Sequence, residues 1–165
     1  MNPGDAVYGT WDLMSNNWSI GATELNSWNR YLLGWLTDSQ INCINVVDLN
    51  ATGVTQLINP IERVNDLTKA IVVRLSSSKI LVIESRRNEG FDVLTPSQEG
   101  TLVYTVDMTI QSIKGGWKVQ RRPGSTDSQF TDAALRVGDV ITIDGVRIEV
   151  ISRDQNGDTV KVSKP

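Results

Sequence analysis

Three groups of residues in this 165-residue chain have the types and spacing that chemistry uses. The first is Gly9-Thr10-Trp11-Asp12-Leu13-Met14-Ser15, which sets a flexible residue, a large ring, a carboxylate and a thioether within a few positions of one another. Such a combination reads as the floor of a site. The second is Lys114, Lys118, Arg121 and Arg122 around Trp117 in KGGWKVQRR, where charge and ring stacking could grip an anionic polymer or a sugar ring. Its plainer reading is a solvated loop anchored by one tryptophan. The third is Asp154, Asn156 and Asp158, which open like a calcium loop. An EF-hand needs glycine at its sixth position and glutamate at its twelfth, whereas Gly157 falls at the fourth and no glutamate follows. A turn is the better reading there.

What is missing constrains the chemistry as much. The chain contains no histidine, so a triad with a histidine base and a pair of imidazole metal ligands are both excluded within it. Tyr104 has no basic partner in sequence and reads as a packed residue.

The elements that must hold these groups follow from periodicity. From Thr23, Leu25, Trp28, Leu32 and Trp35 recur at helical spacing, with Thr23 as the cap and Gly34 as the stop. The tryptophans Trp11, Trp18, Trp28 and Trp35 are expected to hold the turn against this helix, and its apolar face needs cover. Polar Thr37-Asp38-Ser39-Gln40 marks a boundary, dividing the chain into 1–38 and 39–165.

Beyond it the pattern is β. Strands are expected over 41–47, 54–58, 70–75, 79–84 and 101–106, and the runs AIVVRL and ILVIE suit central strands covered on both faces. Leu102, Tyr104 and Val106 should share a face. Arg86 to Asp92 reads as a polar loop, and Gln111 to Thr131 as the longest loop. Val140–Ile143 and Val146–Ser152 flank Asp144-Gly145, a type I′ hairpin signal, and Thr159–Ser163 returns to complete a meander. The fold class is therefore mainly β, a β-sandwich-like domain preceded by a short turn-helix segment.

The first block carries a resemblance. Gly9 to Ser15, Trp28 and Leu33-Gly34-Trp35 look like the end of the catalytic domain of secreted zinc metalloproteases of the immune inhibitor A type. IVVRL, VIESRRNEGFD, GTLVYTVD and ALRVGDVITIDGVRIEV resemble the β-rich region that follows it in that family. The resemblance implies that residues 1–38 are the C-terminal end of an α+β catalytic domain and 39–165 the β-sandwich-like domain. It implies that Met14 is the Met-turn methionine, packing beneath the zinc ligands without binding the metal, with Asp12 and Trp11 as neighbouring structural support. Such enzymes need a His-Glu-x-x-His helix, which this chain lacks. The chain is thus expected to be a C-terminal fragment of a zinc-dependent metalloendopeptidase, not catalytic alone. No cofactor is expected in it, and zinc only in the complete protease, whose upstream catalytic half would be its partner and proteins its substrates. A secreted or cell-surface location follows from the resemblance alone, since MNPGDAVYG has no basic segment leading into an apolar run. The alternative is a non-catalytic β-domain that binds protein or carbohydrate through Trp117 and its basic neighbours.

Composition agrees with a folded domain of this kind. Hydrophobic residues make up 39% and charged residues 21%. The net charge of −3 equals the balance of Asp5, Asp12, Glu24 and Asp38 against Arg30 in the first forty residues. That balance argues against a nucleic-acid binder, and no run is apolar and long enough to span a membrane. Cys43 is the lone cysteine, so no intrachain disulfide forms. Removing residues 1–38 is expected to leave a folded β-domain and to improve its solubility.

Overall fold

The computed structural model describes residues 9–13, 23–111 and 114–165. Met14 and Trp18 lie outside the described residues. The described chain is mainly β, with strands β1 (Ile41–Asn45), β2 (Val54–Ile58), β3 (Ala70–Arg74), β4 (Lys79–Arg86), β5 (Gly100–Asp107), β6 (Trp117–Val119), β7 (Val140–Ile143), β8 (Val146–Asp154) and β9 (Gly157–Ser163). They form a five-stranded sheet, β1-β3-β4-β5-β6, and a four-stranded sheet, β2-β9-β8-β7. All pairings are antiparallel except β1 with β3.

Side-chain alternation assigns the two faces of the larger sheet to different layers. Ile71, Ile83 and Val103 lie in one row across β3, β4 and β5 and pack with Ile148, Val150, Val160 and Val162 of the smaller sheet. Val72, Val82, Tyr104 and Val119 form the neighbouring row on the opposite face. That face is covered by Trp11, Leu36, Phe130, Ala133 and Ala134, with Trp28 and Tyr31 packed against them. The runs AIVVRL and ILVIE are apolar on both sides because their strands are central and covered twice, as the sequence indicates.

The meander of β7, β8 and β9 and its turn form as expected. Asp144 and Gly145 both take positive φ, 49° and 77°, as a type I′ turn requires. Strand ends differ by one or two residues from the sequence reading, and three differences bear on the site. The first strand stops at Asn45, where a 3-10 turn, Val46–Asp48, begins. The expected loop over Gln111 to Thr131 contains β6, and its Phe130 reaches the core. Strand β4 runs on through Ser85 and Arg86, so the polar stretch begins inside the sheet.

The helix is also shorter than its apolar spacing implies. It spans Ser27–Leu32, here α1, and its cap is Asn26, not Thr23; the Asn26 side chain accepts from the Asn29 N–H at 2.9 Å. Gly34 ends the segment at φ +72°, a conformation that favours glycine. Leu32 and Trp35 are 64% and 65% exposed, and the one buried residue of α1 is Ser27. The helix therefore docks through buried Ser27 and partly buried Trp28, while the rest of the face its hydrophobic spacing suggests, Leu32 and Trp35, is in solvent. The turn and helix do not stand apart from the β-domain: Trp11 and Leu36 share one cluster with the larger sheet.

Candidate functional site: a buried charge centre beneath the turn and helix

Strand alternation puts Glu84 and Arg86 on the same side of β4, in the face that the turn and helix cover. Arg86 is fully buried. Its Nη1 donates to Glu84 Oε1 at 2.9 Å, and its Nε and Nη2 hold both oxygens of Asp92 at 2.7 and 2.6 Å. This fork on a carboxylate is the geometry in which arginine binds most strongly. Glu62, also buried, lies 3.6 Å from Arg86 Nε. Four ionisable groups thus share a space with no direct access to water.

The centre reaches across to the N-terminal segment. Glu84 Oε2 accepts from the Ser27 N–H at 2.7 Å, from Ser27 Oγ at 2.5 Å and from the Tyr104 hydroxyl at 3.0 Å. Asp92 Oδ1 accepts from the Glu24 N–H at 2.6 Å, and Arg86 Nη2 donates to the Glu24 carbonyl at 3.1 Å. The Tyr104 hydroxyl also accepts from the Trp28 N–H at 3.2 Å. The indole of Trp11 sits with the Arg86 guanidinium carbon 5.7 Å from its ring centre, and Trp11 Nε1 donates to the Phe130 carbonyl at 2.6 Å. Phe130 holds that carbonyl in place from a positive φ of 57°, an unusual conformation for an aromatic residue. Gly9 comes so close to this loop that a β-carbon there would lie 2.2 Å from the Gln129 carbonyl oxygen.

Burial sets the protonation of the centre. Desolvation pushes the Glu62 carboxyl up to about 9, helped by the neighbouring Asp92 carboxylate, and the Arg86 charge only partly opposes it. Glu62 is therefore neutral near pH 7. Burial also raises the Tyr104 phenol well above its ordinary value, with the neighbouring Glu84 charge adding to the shift. Desolvation works to strip Arg86 of its proton, but Asp92, through charge and hydrogen bonds, and Glu84 overcome it and hold the guanidinium charged. Lys69, buried nearby with its Nζ donating to the carbonyls of Pro60 and Arg63, is lowered to about 8 chiefly by desolvation.

A serine bonded to a carboxylate has the types of a nucleophile and its base, yet Ser27, Glu84, Arg86 and Tyr104 are all at 0% exposure. A substrate has no route to them, and the arrangement joins two layers. Among the described residues no zinc site is assembled. The chain has no histidine, and among the described residues no group of three or more His, Cys, Asp or Glu could hold a metal ion. The residues present do not fit zinc, whose ligands would have to come from elsewhere.

The expected site residues are placed as follows. Trp11 is in the core and clasps Phe130 and Arg86, which attaches the turn to the β-domain and not to α1. Asp12 follows, half-buried, and Leu13 is 51% exposed. Trp28 is partly buried beside Tyr31, with ring centres 5.8 Å apart. Trp35 is in solvent, so it does not hold the turn.

The basic loop is dispersed. Trp117 packs on Tyr104 at 5.0 Å between ring centres, which places one side of its ring against the core. Arg121 lies over the Phe130 ring at 4.1 Å and donates to the Asp127 carbonyl; Arg122 is 3.5 Å from Asp139. Lys114 and Lys118 are exposed. At Asp154, the carboxylate accepts from the Asn156 N–H at 2.7 Å, and Asp158 is held by Arg87 and Arg153. That is a turn closed on itself, with its last carboxylate already paired.

Sequence reasoning missed the Arg86 centre because Arg86 to Asp92 has the composition of a surface loop. One signal was available: Glu84 and Arg86 stand two apart at the end of a strongly apolar strand, which forces both onto one covered face. Glu62 and Ser27 carry no such signal. Comparisons with protein-family models, with curated proteins and with solved structures found no match for this chain.

Proposed function

We propose that this chain is the C-terminal part of a secreted zinc-dependent metalloendopeptidase, contributing the Met-turn segment and the β-domain that seats it. It does not hydrolyse peptides by itself, because the zinc ligands and the catalytic glutamate would come from an upstream half. The resemblance of Gly9 to Ser15 and of Leu33-Gly34-Trp35 to that enzyme type is the starting point.

One structural observation carries the reading further. The turn and α1 are sunk into the larger sheet on their inner side, while Leu13, Leu32, Leu33 and Trp35 are 51%, 64%, 58% and 65% exposed. A segment so firmly seated on one side and so apolar on the other is what the end of a catalytic domain would present to the rest of that domain. The alternative, a β-domain gripping carbohydrate through Trp117, has no comparable support, since the Trp117 ring is already packed on Tyr104.

The test begins with the coding DNA upstream of Met1, read in all frames for His-Glu-x-x-His. If the motif is found, that segment is produced together with this chain, and casein hydrolysis is measured with and without a chelator. Chelator-sensitive hydrolysis that needs both parts, and falls when Met14 is replaced by Ser, is the expected result. Absence of the motif, or hydrolysis by the upstream part alone at full rate, would sink the proposal.

A further inference from the structure

We infer that the Arg86 centre is a positioning device: Glu84, Arg86 and Asp92 set the register at which the turn-bearing segment, residues 9–13 and 23–33, lies on the β-domain. The consequence for catalysis rests on the metalloendopeptidase reading; the positioning itself does not.

Three bonds read the backbone of the segment at defined places. Glu84 takes the Ser27 N–H, Asp92 takes the Glu24 N–H, and Arg86 gives to the Glu24 carbonyl. A slip of one residue leaves both carboxylates buried without their N–H donors, which is costly for charged acceptors. Along α1 apolar contact supplies little of this discrimination, although Trp11 and Leu36 on either side of it are buried in the outer core. Ser27 is the single buried residue of α1, and Leu32 and Trp35, which helical spacing assigns to its buried face, are exposed. Non-directional burial through half-covered Trp28 and Tyr31 would tolerate sliding, whereas charged hydrogen bonds tolerate none. The centre is also linked to the turn, since the Trp11 indole lies on Arg86 and its Nε1 on the Phe130 carbonyl. The segment is thereby located at Glu24, Ser27 and Trp11, all by groups belonging to the β-domain. If the chain completes a zinc protease, Arg86 acts on catalysis at a distance, as a positioning residue.

The experiment uses the full chain and amide hydrogen exchange, together with the indole N–H resonance of Trp11. The first variant, Glu84→Gln, keeps size and removes the charge. The second, Arg86→Met with Glu84→Met and Asp92→Leu, removes all three charges together, so that no unpaired charge stays buried and the sheets keep their stability. In both, exchange at residues 9–13 is expected to rise at least ten-fold and the Trp11 indole resonance to shift. Amides of β3, β4, β8 and β9 should keep wild-type protection. Trp11 makes no bond to Glu84, so a response there reports placement of the segment and not the mere loss of one acceptor.

Wild-type protection at residues 9–13 in both variants would overturn the inference, because apolar packing would then set the register. So would an equal loss of protection across all strands in Glu84→Gln, which would make the centre a general stabiliser. If the triple variant does not fold, Glu84→Gln decides alone. With an upstream half in hand, Glu84→Gln should lower kcat and zinc retention at unchanged KM; lack of any such half would remove the protease reading and leave the exchange result standing.

Discussion

The two faces of the larger sheet are closed in different ways. On its inner side Ile71, Val73, Leu81, Ile83 and Val103 meet Ile148, Val150, Val160 and Val162, an apolar core between two sheets. On its outer side Val72, Val82 and Leu102 are apolar too, but the covering turn and helix are located by Glu84, Arg86, Asp92, Ser27 and Tyr104. Most of the inner face is closed by apolar contact between strands already held in register by their own ladders, and a buried charge contact at its end, Arg87 on Asp158 at 2.8 Å, joins sheet to sheet and not an irregular segment. The outer face has to place a short irregular segment that has no ladder, and directional bonds do so at the expense of burying charge.

Removing residues 1–38 is the bluntest way to break this contrast. The sequence suggests a folded and more soluble remainder, but the cut takes Trp11 and Leu36 out of the outer core and the N–H partners away from Glu84 and Asp92. The expected outcome is aggregation or loss of cooperative melting. A soluble remainder with a sharp thermal transition would show that the smaller sheet and inner core suffice.

Arg86→Met comes next. It strands Glu84 and Asp92 in the interior, and breaking a buried pair in this way costs about 3–5 kcal/mol. Chemical denaturation should show a loss of that order, and adding Glu84→Met and Asp92→Leu should recover most of it. On the inner face, Leu81→Ala at a site with no solvent exposure should cost about 2–5 kcal/mol and recover with no second change. If the Arg86 loss is not recovered in the triple variant, the two faces differ less than proposed.

A smaller effect concerns pH. Glu62 keeps its proton in the folded chain up to about 9, against 4.5 for the ordinary carboxyl, so between those values the folded state holds one proton more than the unfolded state. Stability therefore falls as pH rises through that range. Lys69 acts in the opposite sense: it loses its proton at about 8 when folded, against 10.5, so it adds stability with rising pH above about 8 and offsets the decline up to about 9. Glu62→Gln should flatten the change in urea midpoint between pH 5 and pH 8, as an approximate window inside those limits. Parallel profiles for wild type and variant would show that Glu62 is not the group responsible. The smallest effect is expected at Trp35→Ser: a change within about 0.5 kcal/mol in stability, with reduced self-association by light scattering, because Trp35 is 65% exposed.

The sequence on its own determined the β character, the two doubly covered central strands, the I′ turn at Asp144-Gly145 and the meander that follows. Each of these depends on local preference and a period of two, which neighbouring residues display directly. It also pointed to Gly9–Ser15 as a distinctive block and to Gly34 as the end of the helix. Only the tertiary structure decided that Arg86 is an interior residue, that Ser27 and not Leu32 is the buried contact of α1, and that Trp11 faces the β-domain. Those outcomes depend on partners distant in the chain: Glu84 is 57 residues from Ser27, and Phe130 is 119 from Trp11. A charged side chain reads as a surface residue until the groups that neutralise it arrive from elsewhere, and their arrival leaves no periodic trace along the sequence.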